Sequence, residues 1–263
     1  MAHMLIFGMG YAAGHLAGRL QARGWEVLGT TRDGRGDTIA FADETAVLIA
    51  LRDATHILSS VPPVDGIDPV LARYGEAIAL SPAGWTGYLS STGVYGDAGG
   101  AWVDESAPVK GRRPDRNAAD AAWGALRSDV RIFRLPGIYG PGRSILDRIG
   151  EGRAHRIALP GQVFSRVHVD DIAGGIIASF RGPAGTYNLA DDEPCHQNRL
   201  VEWGCAMLGV PVPPLQTLDE AGLSPAARAF YAENRRVANG KAKRLLGWTP
   251  RYPTFRDGLA ACR

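Results

Sequence analysis

The sequence predicts an α/β protein built on a doubly wound parallel sheet. Short, nearly continuous apolar runs alternate with helix-like stretches through the first half. Glycines follow directly on the first apolar run, and every apolar run is of core length. Strands buried on both faces read as unbroken apolar segments, and their alternation with helices implies a sheet covered on each side. A chain of 263 residues is ample for one large domain or two intertwined ones.

Residues 4–7 form the first strand, 11–23 an amphipathic helix and 26–31 a second strand. The alternation continues at 39–41, 45–52, 56–59, 69–81, 86–90, 115–127 and 130–134. Linkers rich in Pro or Gly cover 60–68, 96–113 and 211–214. After Pro136 the order loosens into a helix at 144–151, a strand near 164–168, a helix at 170–180 and a strand at 186–190. Helical segments at 197–208, 225–234, 240–246 and 254–261 finish the chain. The expected organisation is a core of residues 1–135 completed by about 167–190. A more irregular part takes 136–166 and 191–263, intertwined with the core as one folding unit.

Composition narrows the function classes. The chain is 45% hydrophobic and 21% charged with a formal net charge of +2, which argues against a nucleic-acid or membrane surface. No apolar run reaches the ~18–20 residues of a membrane helix, and the N-terminus lacks a signal-peptide pattern. Cys195, Cys205 and Cys262 are odd in number and show no CxxC spacing, so they read as reduced thiols in a cytoplasmic protein. Of the 29 Lys and Arg residues only Lys110, Lys241 and Lys243 are lysine. The 34 glycines are about twice the roughly 7% of an average protein.

Part of that glycine has a specific place. Leu5-Ile6-Phe7-Gly8-Met9-Gly10-Tyr11-Ala12-Ala13 puts GxGxxG/A between strand and helix, at Gly8, Gly10 and Ala13. The first glycine permits a tight turn, the second lets backbone approach a pyrophosphate, and a small third residue lets helix and strand close up. The helix N-terminus supplies free N–H groups for phosphates. These features make the fold Rossmann-type and the ligand a dinucleotide, with Gly8, Gly10, Tyr11 and Ala13 at its pyrophosphate. The second strand ends Thr30-Thr31-Arg32, with Arg35 nearby, where NAD binders carry an acid. Arg32 suits the 2′-phosphate of NADP; Asp33, next in the chain, offers the NAD alternative. The balance favours NADP.

Further phrases follow in order. Ser90-Ser91-Thr92-Gly93-Val94-Tyr95-Gly96 is similar to an SSxxVYG motif, and residues 134–143 (RLPGIYGPGR) to an RxxxxYGPGR turn. Residues 164–173 (FSRVHVDDIA) are similar to FxxVHVDDIA, and YNLADDEP at 187–194 with Leu246-Gly247-Trp248 completes the set. Over nearly its whole length the chain resembles the extended and atypical branches of the short-chain dehydrogenase/reductase family, with their NAD(P)-dependent epimerases and dehydratases. The resemblance is nearest to small members with a GxGY turn.

That resemblance implies roles, and it makes the irregular part, 136–166 and 191–263, a small lobe on the substrate side. Ser91 takes the catalytic hydroxyl position, or else caps the turn after its strand, and Thr92 faces substrate. Ser60 and Pro136 border the cofactor. The family's Tyr-x-x-x-Lys is missing: residues 110–120 contain no tyrosine. If Asp120 fills the acidic position that commonly follows the motif, the Tyr and Lys places fall on Arg112 and Arg116. A guanidinium cannot shuttle protons, although Arg116 can hold ribose hydroxyls or phosphate. Tyr95 is the candidate replacement acid if an arginine beside it lowers its pKa; otherwise it is a packed rim tyrosine. Arg143 and Arg166 are candidate substrate clamps. Asp170 is expected to cap the following helix, with no metal at His168-Val169-Asp170-Asp171, and residues 191–196 to form a solvated acidic loop. The functional expectation is an oxidoreductase or epimerase-like enzyme for a small polar or nucleotide-linked substrate, or else a redox-inactive NAD(P) sensor. The resemblance also implies homodimerisation through a helix pair.

Overall fold

The computed structural model describes residues 2–263. Its first half runs β1 (His3–Phe7), α1 (Tyr11–Gln21), β2 (Glu26–Thr31), β3 (Ile39–Ala40), α2 (Glu44–Asp53), β4 (His56–Ser59), α3 (Pro69–Ala79) and β5 (Trp85–Ser91). A 3₁₀ turn (Thr92–Tyr95), β6 (Trp102–Val103), α4 (Pro114–Leu126) and β7 (Val130–Leu135) follow. The remainder comprises β8 (Gly137–Tyr139), α5 (Ile145–Gly150), β9 (Arg156–Ile157), β10 (Arg166–His168), α6 (Val169–Ala178) and β11 (Gly185–Asn188). Last come α7 (Gln197–Leu208), β12 (Leu215–Gln216), α8 (Pro225–Phe230), β13 (Arg236–Val237), α9 (Gly240–Leu246) and α10 (Phe255–Ala260).

Seven strands form one parallel sheet in the order β11-β7-β5-β4-β1-β2-β3. The chain winds outward in both directions from β1, so the crevice beyond the end of β1 is the switch point where such sheets bind ligands. Side chains alternate between two cores along each strand. Met4 and Ile6 join Leu16, Leu20, Ile172 and Ile176 on one face. Leu5 and Phe7 join Val47, Leu51, Tyr74, Ile78 and Trp123 on the other. A third cluster gathers Tyr139, Ile145, Leu146, Leu200, Val201, Phe255 and Leu259 away from the sheet.

Three local expectations change. The strand near 164–168 is only β10, which pairs with β8 outside the main sheet, while Phe164 bridges to Cys195. The helix expected over 225–234 stops at Phe230. Beyond it Asn234 is drawn into bonds with Asp97, Gly161 and Val163, and β13 pairs with β6 inside the stretch expected as linker. Among the described residues, no helix is long and apolar enough to cross a membrane.

Candidate active site

The site begins with the turn between β1 and α1. Gly8 has φ of 83°, a left-handed conformation that suits glycine. A Cβ there would lie 2.8 Å from Val61 Cγ2 and 3.3 Å from Ser60 Oγ. The Ser60 hydroxyl donates to the Gly8 carbonyl at 2.5 Å, and the Gly8 N–H donates to Thr30 Oγ1 at 3.1 Å. The turn is thereby fixed between the ends of β2 and β4. Gly10 caps α1 without any side-chain acceptor, and nothing within 4 Å would meet a Cβ on it. Six other helices start on a side chain that accepts from their first turn: Asp43, Asp68, Ser144, His168, His196 and Ser224. The first turn of α1 also lacks an acidic residue, so its N–H groups and positive dipole end are left available. Ala13 is buried under this turn.

The Tyr11 hydroxyl donates to the Pro141 carbonyl at 2.9 Å, and the Arg143 guanidinium lies 5.5 Å from the Tyr11 ring centre. Tyr11 and Arg143, expected at cofactor and substrate respectively, are thus neighbours. Arg32 and Arg35 are exposed beyond β2, and neither side chain has a hydrogen-bond or ion-pair partner among the described residues.

Ser91 ends β5, and its Oγ accepts from the Gly93 N–H at 3.1 Å, which is the turn-capping arrangement. Thr92 is buried, and Pro136 follows β7. Beneath Ser91 lies a buried polar network, in which Arg134 Nη1 alone has no partner among the described residues. Asp120 accepts from Ser90 Oγ at 2.6 Å and from Arg134 at 2.6 and 3.0 Å. Asp120 is therefore a buried anchor between α4 and β7.

Tyr95 belongs to this scaffold. Its ring is buried, Arg134 lies over it at 4.9 Å, and its hydroxyl donates to Asn188 Oδ1 at 2.7 Å. An arginine is present as required, yet burial pushes the phenol pKa up by more than Arg134 and Asn188 pull it down. The packed-tyrosine alternative describes this geometry, and Tyr95 is not placed as an acid. Arg166 also departs from expectation. It is buried and donates to the Phe164 and Cys195 carbonyls and to Gln197, tying β10 to the segment before α7.

The helix after the missing motif is equally informative. Arg116, in the first turn of α4, is half-buried, and its Nε has no partner among the described residues. Burial, with Arg113 nearby, holds its guanidinium below the ordinary value. Arg112, which takes the tyrosine's place if Asp120 is the acid that follows the motif, reaches away to the C-terminal segment and donates to Glu233 at 2.9 Å and to the Ala229 carbonyl at 2.8 Å. Glu233 also accepts from Arg235 at 2.7 Å. Glu233 and Arg235 escaped the sequence reading because one more arginine carries little signal in so arginine-rich a chain.

Two further corrections concern the C-terminal half. His168, not Asp170, caps α6: its Nδ1 accepts from the Asp170 N–H at 3.2 Å. Burial lowers its pKa to about 4, which keeps the ring neutral for that bond. The acidic loop is only partly solvated, with Asp192 exposed. Asp191 is buried, neither carboxylate oxygen has a partner among the described residues, and burial pushes it up to about 8. Asp192 pairs with Lys243, and Glu193 with Arg199 and Arg256.

No family model matches the chain. A solved structure of a conserved, functionally unknown protein from Silicibacter pomeroyi DSS is 40% identical, with a TM-score of 0.91 over 100% of this chain and 98% of that one. A "3-diazoavenalumate denitrifying reductase" from a Streptomyces species is 29% identical over 97% of this chain and 98% of its own length. Two more distant structures share the fold, each with a TM-score of 0.78: MoeE5 in complex with UDP-glucuronic acid and NAD, and the human epimerase family protein SDR39U1 with NADPH. They are 20% and 17% identical, cover 99% and 98% of this chain, and are each covered over 97% of their own length. The chain therefore belongs to the same family as the Silicibacter pomeroyi protein and shares the fold of the two more distant structures.

Proposed function

We propose that the chain binds a nicotinamide dinucleotide in the crevice beyond β1 and acts as a reductase on a small polar acceptor. The observation that carries this reading is the uncapped N-terminus of α1 beside Gly8, an anion cradle at the switch point of the sheet. The buried, partnerless Nε of Arg116 supports it, since a ribose or phosphate oxygen would satisfy that donor. When bound, the nicotinamide supplies the hydride. The chain's own residues do the rest: the N–H groups of residues 11–13 hold the pyrophosphate, and Ser60 fixes the turn. Arg32 meets a 2′-phosphate, Arg116 holds the ribose, and Pro136 closes the nicotinamide end. Ser91 faces the acceptor, with Arg143 at its edge, while Thr92 is buried. Residues 136–166 and 191–263 form the lobe that shields it.

The missing Tyr-x-x-x-Lys narrows the chemistry. A site with Arg112 turned away and Tyr95 buried has no tyrosine acid at these positions. It suits acceptors whose reduction draws no proton from the protein. The name of the Streptomyces relative, a denitrifying reductase of a diazo compound, supports that class. The same absence favours a second reading, a redox-inactive dinucleotide-binding protein.

Replacing Arg32 by Ala tests the cofactor assignment. A guanidinium–phosphate contact is worth about 1.5–3 kcal/mol, so the NADPH-to-NADH affinity ratio should fall about tenfold or more. An unchanged ratio removes Arg32 and the NADP preference. Oxidation of bound NADPH by a panel of carbonyl and aryl-diazonium acceptors separates the two readings: binding without oxidation by any acceptor favours the redox-inactive protein.

A further inference from the structure

The segment 233–237 lies across the 3₁₀ turn that follows Ser91, and it is anchored at nearly every polar group. The Glu233 carbonyl accepts from Gln162, the Asn234 N–H donates to Asp97, and its side chain bonds Gly161 and Val163. Arg236 donates to the Gly100 carbonyl, and β13 pairs with β6. This rigid segment presents Arg235. One terminal nitrogen, Nη1, is fixed by the Gly96 carbonyl at 2.8 Å and by Glu233 at 2.7 Å. The other, Nη2, has no hydrogen-bond partner among the described residues and is not fully enclosed. The point where a Cβ on Gly93 would stand is 4.0 Å from Nη2 and 3.3 Å from Ser91 Oγ. A free guanidinium donor and the Ser91 hydroxyl thus flank one small space, kept open by glycine.

We propose that Arg235 is a substrate-binding residue that takes a carboxylate of the acceptor beside Ser91. The proposal rests on the reading of this crevice as the reductase site. A carboxylate fits better than a diphosphate, because Glu233 between Arg112 and Arg235 leaves this triad a net charge of about +1, and Arg235 itself has only one terminal nitrogen free. Arg235 held by Glu233 is preorganised, so little side-chain entropy is lost on binding.

The test uses benzoate as probe and benzamide as its neutral counterpart, titrated into the protein with and without NADPH. Wild type should bind benzoate at least tenfold more tightly than benzamide. Arg235→Ala should abolish that preference while NADPH affinity stays within twofold. Arg235→Lys, which keeps the charge, should retain a reduced preference and serves where the alanine variant fails to fold. Wild type without a preference, or a folded Arg235→Ala that keeps it, would overturn the proposal. Arg235-dependent benzoate preference in a protein that binds no NADPH would sustain the anion site and sink the dinucleotide reading instead.

Discussion

At Gly8 a single hydrogen atom decides whether the turn forms. Alanine there must adopt φ of 83° with its methyl 2.8 Å from Val61 Cγ2. Gly8→Ala should cost about 1–3 kcal/mol in urea unfolding and weaken NADPH binding at least tenfold; unchanged stability and affinity would show that the turn relaxes freely. Asp120 makes a different point. Asp120→Asn leaves the Arg134 guanidinium buried without its counter-charge, so stability should fall by about 3–5 kcal/mol. A loss below ~1 kcal/mol would mean that water enters the network. Of the candidate site, the places of Gly8, Gly10 and Ala13 in the turn before α1 and of Ser91 at the end of β5 were legible because local sequence determines where a strand ends and a turn begins. The roles of Asp120, Arg112 and Arg235 were hidden, since each depends on a partner far along the chain: Arg134, Glu233 and the turn after Ser91.

Elements were most legible where one period dominates. β2 and β4 occupy the expected residues, and α7 and α9 do so in the C-terminal half. The irregular pairs were not readable: β6 with β13 and β9 with β12 are two-residue strands joined across long separations, which no local periodicity marks. Helix starts show how side chains divide labour. Asp68 caps α3 through Oδ1 to the Val70 and Leu71 N–H groups, while Oδ2 accepts from Trp123 Nε1 at 2.8 Å on α4. Asp68→Ala removes a cap and strands a buried indole N–H, so a loss of about 2–4 kcal/mol is expected. Thermal unfolding that matches wild type would contradict this. The uncapped start of α1 carries no such internal duty, which is why it is available to a ligand.

For the whole molecule, buried titratable groups set the pH response. His56 and His168 are held at about 4 by burial, below the ordinary 6.5, so the unfolded chain binds more protons between these values. Their contribution is present above pH 6.5 and lost as pH falls toward 4. Asp191 acts oppositely. Raised from 3.8 to about 8 by burial, it stays protonated only in the folded chain, so stability is lost as pH rises through that window. Relative to Asp191→Asn, the wild type should lose about 1.4 kcal/mol per pH unit between pH 5 and 7. Parallel denaturation profiles for the two proteins would refute a buried, protonated Asp191.

The sheet order, the left-handed Gly8 and the open start of α1 converge on one claim, that the crevice beyond β1 holds a nicotinamide dinucleotide. Titrating NADPH and NADH into the wild-type protein while following nicotinamide fluorescence tests it most directly. A saturable change with at least one of them, tighter for NADPH, is the predicted result; no change with either, even at high cofactor concentration, would contradict it.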